Sequence, residues 1–294
     1  MIRKSHKLFN FIAAAVLGTM LVTAVPLSMV ASNRVTNEVQ ASVGNYTTNP
    51  ATYYNSVSGL SGNSLLFGLH DLMVTSHQKF PTYDDSGSGG YQAYTDSDPN
   101  NVNNIIAWYT HASIPKTWDS GATYNREHVW PQSLTNGLYG TTYGGADMHH
   151  IRPTISGINS TRGNKLFGEV GSTFNTAVYG SGNLVSKYNT SEDIFEPHDE
   201  VKGDAARIVM YMYMHYNTSS NLGDTPRSEP AYFGNLPITN IIKAANTAAA
   251  WDLVLDWNTL DPVDVLETNR NNQVATYQGN RNPFIDNPLF AEKI

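Results

Sequence analysis

The chain has 294 residues, of which 40% are hydrophobic and 15% charged, and it contains no cysteine. This composition excludes a disordered chain, a collagen-like repeat and a polytopic membrane protein. The missing cysteines exclude disulfides, thiolate zinc sites and cysteine nucleophiles. With 18 basic and 25 acidic residues, the formal net charge of -7 argues against a protein that wraps nucleic acid by bulk charge.

Residues 1–41 have the features of a secretory signal peptide. Basic residues precede a mostly apolar run from residue 9 to 30, and cleavage is predicted after Ala31 or Ala41. The alternative is a membrane anchor, because the run approaches spanning length, but Pro26 and the polar stretch after it favour cleavage. We therefore expect a secreted, extracellular protein without stable membrane association.

The rest of the chain is predicted to be a flexible lead over residues 42–57 and one domain over residues 58–294, since no repeat or linker divides it. In chain order, the patterns predict a helix over 60–77, a Gly/Ser loop over 84–90, a strand over 102–109, a hairpin over 174–188 with its turn at 179–183, and helices over 204–216, 241–257 and 261–277. Asp204 and Asp261 are the expected N-caps, and Gly279 the expected stop. The fold class is α+β with mainly helical walls.

The first cluster of reactive side chains lies at residues 124–133 and contains Arg126, Glu127 and His128 in succession. Histidine accepts a proton near neutral pH, and glutamate offers a hard oxygen ligand to Mg²⁺. By itself this cluster is a weak signal, since such a triplet at a strand end is common.

The second cluster, residues 147–154, contains Asp147, His149 and His150. A histidine pair suggests zinc, but neighbours on a strand point to opposite faces and do not easily share one ion. The His-Glu-x-x-His pattern of a zinc hydrolase is also missing.

The third cluster, residues 158–164, contains Asn159, Arg162 and Asn164. At a helix start, the first two share a face because they are three residues apart. The alternative for this cluster alone is a set of capping or turn amides. Together the three clusters supply a base, hard oxygen ligands and an arginine, which is the inventory for metal-assisted attack of water on a phosphodiester.

These motifs resemble those of the bacterial endonuclease I family, non-specific nucleases with a ββα-metal (His-Me finger) core. The resemblance extends from about residue 60 to 286 and is carried by residues 126–131 (REHVWP), 147–149 with Pro153, 159–164, 202–207, 211–212 and 278–284 (QGNRNPF), with 94–96 and 98–99 also fitting.

The resemblance implies a role for each matching position. His128 is expected to be the general base, and Glu127 and Asn159 are expected to bind a single divalent cation, Mg²⁺ first, with Mn²⁺ or Ca²⁺ as alternatives. Arg162 is expected to stabilise the phosphate or orient the site. Supporting or substrate-contacting roles are assigned to Arg126, Asp147, His149, Asn164 and Arg281.

The resemblance also implies cleavage of DNA and RNA with little sequence preference, leaving 5′-phosphate ends. We expect the protein to be a monomer. The lack of cysteine places the chain beside the branch with Gram-positive-type secretion, which includes extracellular ribonucleases. Two alternatives stay open: a ribonuclease with little DNase activity, and a non-catalytic extracellular protein that binds nucleic acid. Residues 121–190 contain five basic and three acidic residues, which predicts a local cationic cleft with few phosphate contacts.

Two expectations depend on local geometry. Glu127 and His128 are neighbours, so strand alternation sends them to opposite faces unless the backbone twists or the ion lies at the strand's edge. Arg207, on the apolar helix, is expected to form a buried structural ion pair.

Overall fold

The computed structural model describes residues 49–87, 92–135, 141–177, 184–225, 228 and 233–294. The predicted signal peptide, residues 42–48 of the predicted lead and the predicted hairpin turn at 179–183 lie outside the described residues. Among the residues described, no helix combines the length and apolar character needed to cross a membrane.

Helices and short strands alternate along the described chain. The helices are α1 (Pro50–Tyr53), α2 (Gly62–Ser76), α3 (Tyr83–Gly87), α4 (Gln92–Thr95), α5 (Ser156–Arg162), α6 (Asp199–Tyr216), α7 (Thr247–Leu260), α8 (Val265–Gln278), α9 (Pro283–Asp286) and α10 (Phe290–Lys293). The strands are β1 (Asn104–Ala107), β2 (Ala112–Pro115), β3 (Tyr124–His128), β4 (Ile151–Ile155), β5 (Leu166–Phe167), β6 (Asn175–Ala177), β7 (Ser186–Asn189) and β8 (Ile194–Glu196).

The strands form three small sheets rather than one large one. β1 pairs with β2, and β3 with β4, both antiparallel, while the third sheet has the order β5-β8-β7-β6 with β5 parallel to β8. Mixed helices and sheets confirm the predicted α+β class.

Helix α6 forms the centre of the core, as its apolar surface predicts, and it packs against α2 and α7. Its buried charged side chains have partners: Lys202 lies 3.0 Å from Glu196, and Arg207 lies 2.6 Å from Glu267. Paired charges of this kind avoid the cost of burying an isolated ion. The predicted structural pair at Arg207 is thus confirmed.

Both predicted N-caps are wrong. α6 begins at Asp199, five residues before the predicted cap, because the carboxylate of Asp204 accepts a hydrogen bond from Trp108 within the core instead of capping the helix. α8 is capped by Asp264, which forms a capping box with Glu267, whereas Asp261 ends the preceding helix.

The other predicted elements differ mainly at their ends. The helix predicted over 241–257 starts at Thr247, capped by Asn246, and α8 stops at Gly279 as predicted. The strand predicted over 102–109 covers only Asn104–Ala107 and turns back as a short hairpin. β6 and β7 confirm antiparallel pairing in the predicted hairpin.

Two predicted irregular segments contain structure. α3 (Tyr83–Gly87) overlaps the first half of the predicted loop at 84–90. In the described part of the predicted lead, Val57 is buried in the core and the Tyr54 hydroxyl donates to Asp286 over 2.6 Å. These contacts place residues 49–57 in the folded unit, because burying an apolar side chain and pairing a hydroxyl both hold the chain in place.

Candidate active site

The three sequence clusters meet where β3, β4 and α5 pack together. β3 and β4 are antiparallel, with Glu127 opposite Arg152 and His128 opposite Ile151. α5 follows β4 without a loop, since Ser156 is the next residue after the strand. The helix therefore returns across β3 and brings its side chains to the strand that carries Glu127 and His128.

Asn159, in the middle of α5, is held by its amide nitrogen. Its Nδ2 donates to the side-chain oxygen of Asn125 and, over 3.3 Å, to the carbonyl oxygen of Arg126. Because a carbonyl oxygen only accepts, this contact fixes which amide atom is nitrogen. The Oδ1 atom of Asn159 consequently has no hydrogen-bond partner within the described part of the chain and is available as a ligand.

Glu127 is buried, with one carboxylate oxygen occupied and the other available. Its Oε1 accepts a hydrogen bond from the Tyr109 hydroxyl over 2.8 Å and lies 3.4 Å from the guanidinium of Arg162. The described residues provide no hydrogen-bond donor to Oε2. Burial raises the pKa of Glu127 to about 7, although the Arg162 charge and the Tyr109 hydrogen bond oppose the shift. A cation next to this carboxylate would relieve the cost of its ionisation.

His128 is the last residue of β3, and its ring has a defined orientation. Nε2 lies 2.9 Å from the carbonyl oxygen of Gly145 and 3.1 Å from the amide nitrogen of Gln132. The backbone carbonyl only accepts, whereas the Gln132 amide can present its oxygen to Nε2 by turning through 180°. We therefore assign the proton to Nε2, which leaves the lone pair on Nδ1, without a hydrogen-bond partner among the described residues. Burial, with a contribution from His150, lowers the pKa of His128 to about 3. The ring is therefore neutral at neutral pH and able to accept a proton.

Glu127 and His128 contact different neighbours, as strand alternation predicts. Glu127 contacts Tyr109 and Arg162, whereas the ring of His128 lies parallel to that of Tyr83, with centroids 5.5 Å apart. A ligand that contacts both side chains must therefore lie at the end of β3, where the strand stops at His128.

Arg162, the last residue of α5, is fully buried and does not face solvent. Its guanidinium donates to the carbonyl oxygens of His128 over 3.2 Å and Val129 over 2.7 Å, besides its contact with Glu127. Of the two roles expected for this arginine, the arrangement favours orientation of the site over contact with phosphate, because every polar contact it makes is internal. Asn159 and Arg162 do share the helix face that packs on β3, as their spacing predicts.

Arg126 lies beside the site and packs against aromatic rings. Its guanidinium lies 3.8 Å from the ring centre of Tyr83 and 5.2 Å from that of Trp118, and 3.5 Å from the exposed carboxylate of Asp84. Asn164 is exposed in the loop after α5. Arg126 is therefore held by contacts within the protein, whereas the side chain of Asn164 is open to solvent.

Arg281 is placed differently from the other predicted residues. Its guanidinium forms a two-pronged ion pair with Asp286, at 2.6 and 2.7 Å, and donates to Asn272 over 2.6 Å. The side chain is buried. Of the roles expected for it, this geometry favours bracing of the C-terminal segment over contact with substrate.

Asp147 and His149 form part of an interior polar network. Asp147 accepts four hydrogen bonds, from the hydroxyls of Tyr211 and Tyr216, the amide of Gln278 and the backbone of His149. Burial opposes ionisation of Asp147, but the charges of neighbouring histidines and these hydrogen bonds lower its pKa below the usual range. The network ties the segment before β4 to α6 and α8 and thereby supports the strand pair from behind.

The adjacent histidines point to different partners. His149 Nε2 lies 3.2 Å from the carbonyl oxygen of Asn280, whereas both ring nitrogens of His150 are used, by the carbonyl of Gly144 at 2.9 Å and the backbone N–H of Trp130 at 2.8 Å. A ring with both nitrogens occupied has none left for a metal. The argument against a shared zinc ion is consistent with this arrangement. His150 instead packs edge-on against His128, with ring centres 5.5 Å apart.

A second group of side chains with metal-binding chemistry lies inside the protein. Ligand atoms of His77, Asp147 and His215 all lie within 4.8 Å of one another, and His77 Nδ1 is 2.9 Å from His215 Nε2. The outer nitrogens, His77 Nε2 and His215 Nδ1, are buried without a hydrogen-bond partner. All three side chains are buried, and the oxygens of Asp147 already accept four hydrogen bonds. Nothing in the local sequence around His77 or His215 indicated this proximity.

Several residues that position the site were not identified from sequence. Tyr109 holds Glu127, and the Gly145 carbonyl orients His128, yet both lie outside the motifs. Asn125 and Gln132 were inside the first cluster without an assigned role. The hydrogen-bond partner of Asn125 is Asn159, 34 residues away in the third cluster. The role of Asn125 could therefore have been predicted only if the sequence had shown that the first and third clusters pack together.

Comparisons with known proteins identify the family of this chain. Residues 54–289 match the family described as Endonuclease I. An extracellular ribonuclease of Bacillus amyloliquefaciens is 38% identical over 249 residues, which cover 83% of this chain and 78% of the relative. An extracellular ribonuclease of Bacillus subtilis (strain 168) is 36% identical over 247 residues, with the same two coverages. Endonuclease-1 of Buchnera aphidicola subsp. Acyrthosiphon pisum (strain APS) is 25% identical over 140 residues, 48% of this chain and 44% of the relative. The family match and the two ribonucleases show that this chain belongs to the endonuclease I family.

Proposed function

We propose that this protein is a secreted, metal-dependent endonuclease that hydrolyses phosphodiester bonds of RNA and DNA with little sequence preference and leaves 5′-phosphate ends. The observation that carries the proposal is a set of three unpartnered acceptor atoms at the junction of β3 and α5. They are Glu127 Oε2, Asn159 Oδ1 and His128 Nδ1, each left available because the other polar atom of its group is held by the fold.

The two oxygens fit a divalent cation, since carboxylate and amide oxygens are the ligands that Mg²⁺, Mn²⁺ and Ca²⁺ accept. The raised pKa of Glu127 also favours a cation there, because burial leaves its negative charge undercompensated. A divalent ion held by Glu127 and Asn159 supplies positive charge to the scissile phosphate. We assign the ion to this pair and not to the interior group of His77, Asp147 and His215, because that group is enclosed.

The neutral ring of His128 accepts a proton from water at Nδ1, while Nε2 stays bonded to the Gly145 carbonyl. The water oxygen then forms a bond to phosphorus, and the bond from phosphorus to the 3′ oxygen breaks. The 3′ oxygen takes a proton from solvent, which leaves a 3′-hydroxyl and a 5′-phosphate. Arg162 keeps β3 and the Glu127 carboxylate in register during this step through its internal contacts.

A ribonuclease with little DNase activity is the second candidate, and it is favoured by one specific observation. Both relatives that cover most of this chain are named extracellular ribonucleases, and the same names support secretion. A non-catalytic binding protein is less favoured, because a binder has no need of an unpartnered base beside unpartnered metal ligands.

The test is digestion of supercoiled plasmid and of total RNA by the purified protein, with EDTA and then with added Mg²⁺, Mn²⁺ or Ca²⁺. Cleavage of both polymers that EDTA stops and a divalent ion restores is the expected result. Cleavage of RNA alone supports the second candidate. Binding without any strand scission would overturn the enzymatic proposal.

A further inference from the structure

An open cavity of about 590 Å³ lies beside the candidate base, in the size range of small-molecule sites. Its walls come from residues 80–84, at the start of α3, and residues 141–143, which lead into a short 3₁₀ helix. Tyr83 belongs to the lining, and its ring stacks on that of His128, with the ring centres 5.5 Å apart and an angle of 19° between the ring planes. The cavity is therefore adjacent to the atoms proposed to cleave the phosphodiester.

The cavity is lined by an exposed aromatic side chain in an unusual backbone conformation. Tyr143 is 41% exposed, and its ring packs edge-to-face on Phe80, with centres 5.2 Å apart. Its φ angle of 48° lies in the left-handed region, which is unfavourable for a residue with a bulky side chain. Conformations of this kind concentrate at ligand-binding sites, where the surrounding structure maintains them.

The backbone links this tyrosine to the proposed base. Tyr143 is the first residue of the 3₁₀ helix Tyr143–Ala146, and the same helix contains the Gly145 carbonyl that orients His128. A group that stacks on Tyr143 therefore contacts the same 3₁₀ helix whose Gly145 carbonyl orients the ring of His128.

The chemistry of the lining favours an uncharged aromatic ligand over a phosphate. The lining combines Phe80, Tyr83 and Tyr143 with threonines and the carboxylate of Asp84, and no lysine or arginine is among its described residues. Arg126 lies next to the lining, 3.5 Å from the Asp84 carboxylate, which nevertheless stays 89% exposed and able to accept hydrogen bonds. A carboxylate repels phosphate but accepts hydrogen bonds from the N–H groups of a nucleobase edge. Aromatic side chains bind unpaired bases by stacking, with little dependence on which base it is.

Building on the proposed nuclease function, we propose that this cavity is a nucleobase subsite, in which an unpaired base next to the scissile phosphate stacks on Tyr143 and Phe80. A base within a duplex is already stacked and paired, so it enters such a site only after it leaves the helix. The subsite therefore favours single-stranded RNA or DNA over the duplex. It makes the enzyme distinguish unpaired from paired strands and not ribose from deoxyribose.

The test compares cleavage of a short single strand and of the matching duplex by the wild-type protein and by Tyr143→Ala. Loss of one stacking contact is expected to raise KM for the single strand about tenfold, with duplex cleavage unchanged. Tyr143→Phe keeps the ring and is expected to behave like the wild type. Phe174→Ala is the control, because Phe174 has a similar exposed fraction, 44%, but does not line the cavity.

A second measurement uses the wild-type protein and does not depend on how a variant folds. Single strands carrying one abasic nucleotide at successive positions are expected to show about tenfold weaker cleavage at a bond next to the missing base, and Tyr143→Ala should not respond to it. Equal losses on single strand and duplex, or no response to the missing base, would overturn the subsite. If the wild type cleaves neither strand form in the presence of divalent ions, the proposed nuclease function itself is wrong.

Discussion

The guanidinium of Arg162, at the end of α5, donates a hydrogen bond to the backbone carbonyl of His128, at the end of β3, over 3.2 Å. The same side chain lies 3.4 Å from Glu127. One buried arginine thus fixes the strand end that carries the proposed base and also balances the charge of the proposed metal ligand. Arginine suits this position because its planar fork reaches several acceptors at once.

Replacing this arginine should damage both stability and catalysis. We expect Arg162→Met to lower the free energy of unfolding by about 3 to 5 kcal/mol, because it leaves the buried Glu127 carboxylate without its positive counter-charge, with only the Tyr109 hydrogen bond remaining. Adding Glu127→Gln to that variant should restore part of the stability, since the uncompensated charge is then gone. Denaturant unfolding of the two single variants and the double variant measures this coupling. Additive losses would show that the two side chains act independently.

Removal of the proposed base should abolish turnover and preserve the fold. We expect His128→Ala to reduce kcat by about 10² to 10⁴-fold, the usual contribution of a positioned general base, with a cooperative unfolding transition and nucleic-acid binding both retained. Single-turnover cleavage and a binding titration on the same preparation separate the two effects. Wild-type-like cleavage by this variant would refute the role of His128.

The metal assignment can be tested without any substrate. A divalent ion that binds only the folded protein raises stability by about 2.7 kcal/mol at a concentration 100 times its Kd. We expect Mg²⁺ or Mn²⁺ to raise the melting temperature of the wild type but not that of Glu127→Gln or Asn159→Ala.

Two controls make this assignment specific. Glu169→Gln removes a carboxylate that pairs with Lys202, away from the β3–α5 junction, and should keep the metal response. His77→Gln removes a member of the interior histidine group and should also keep it. If His77→Gln loses the response and Glu127→Gln retains it, the ion binds in the interior and our assignment is wrong.

Gly203 in α6 should not tolerate a side chain. A Cβ atom there would lie 2.0 Å from the backbone oxygen of Asp261 and 2.8 Å from the guanidinium of Arg207, so the packing must shift. We expect Gly203→Ala to destabilise the protein by about 1 to 3 kcal/mol or more. Gly171→Ala is the matched control, because a Cβ at Gly171 meets nothing within 4 Å. Equal unfolding midpoints for the two variants would contradict the packing described for α6.

Stability should fall as the pH decreases because of His149. Burial lowers the pKa of His149 to about 4, although the Asp147 charge opposes the shift. The unfolded chain, with an ordinary histidine pKa near 6.5, binds the proton more readily, so the stabilisation is complete above about pH 6.5 and is lost as the pH falls through about 4. The contribution amounts to about 3 kcal/mol.

The pH prediction is checked by denaturant unfolding at several pH values between about 7.5 and 4. We expect His149→Gln to weaken the pH dependence in this window, because it removes one titrating group. His111→Asn, in the turn between β1 and β2, is the control, since asparagine tolerates the left-handed backbone found there. An unchanged pH dependence in His149→Gln would rule out this histidine as the source.

The sequence by itself determined the fold class, the central helix and the family motifs, because these depend on residue order and apolar periodicity. It misplaced the start of α6 and the cap of α8, because the residues next to Asp204 and Asp261 form patterns typical of helix N-caps. The carboxylate of Asp204 is instead committed to Trp108, 96 residues earlier in the chain. A local pattern does not contain such a partner.

Only the tertiary structure decided which atoms of the candidate site are available for chemistry. The sequence names His128, but the Gly145 carbonyl, 17 residues away, leaves Nδ1 as the free nitrogen. The sequence names Asn159, but contacts with β3, more than 30 residues earlier, leave its oxygen open. Polar groups bury favourably only when they find partners, and those partners are brought together by the packing of β3, β4 and α5 rather than by neighbours in the chain.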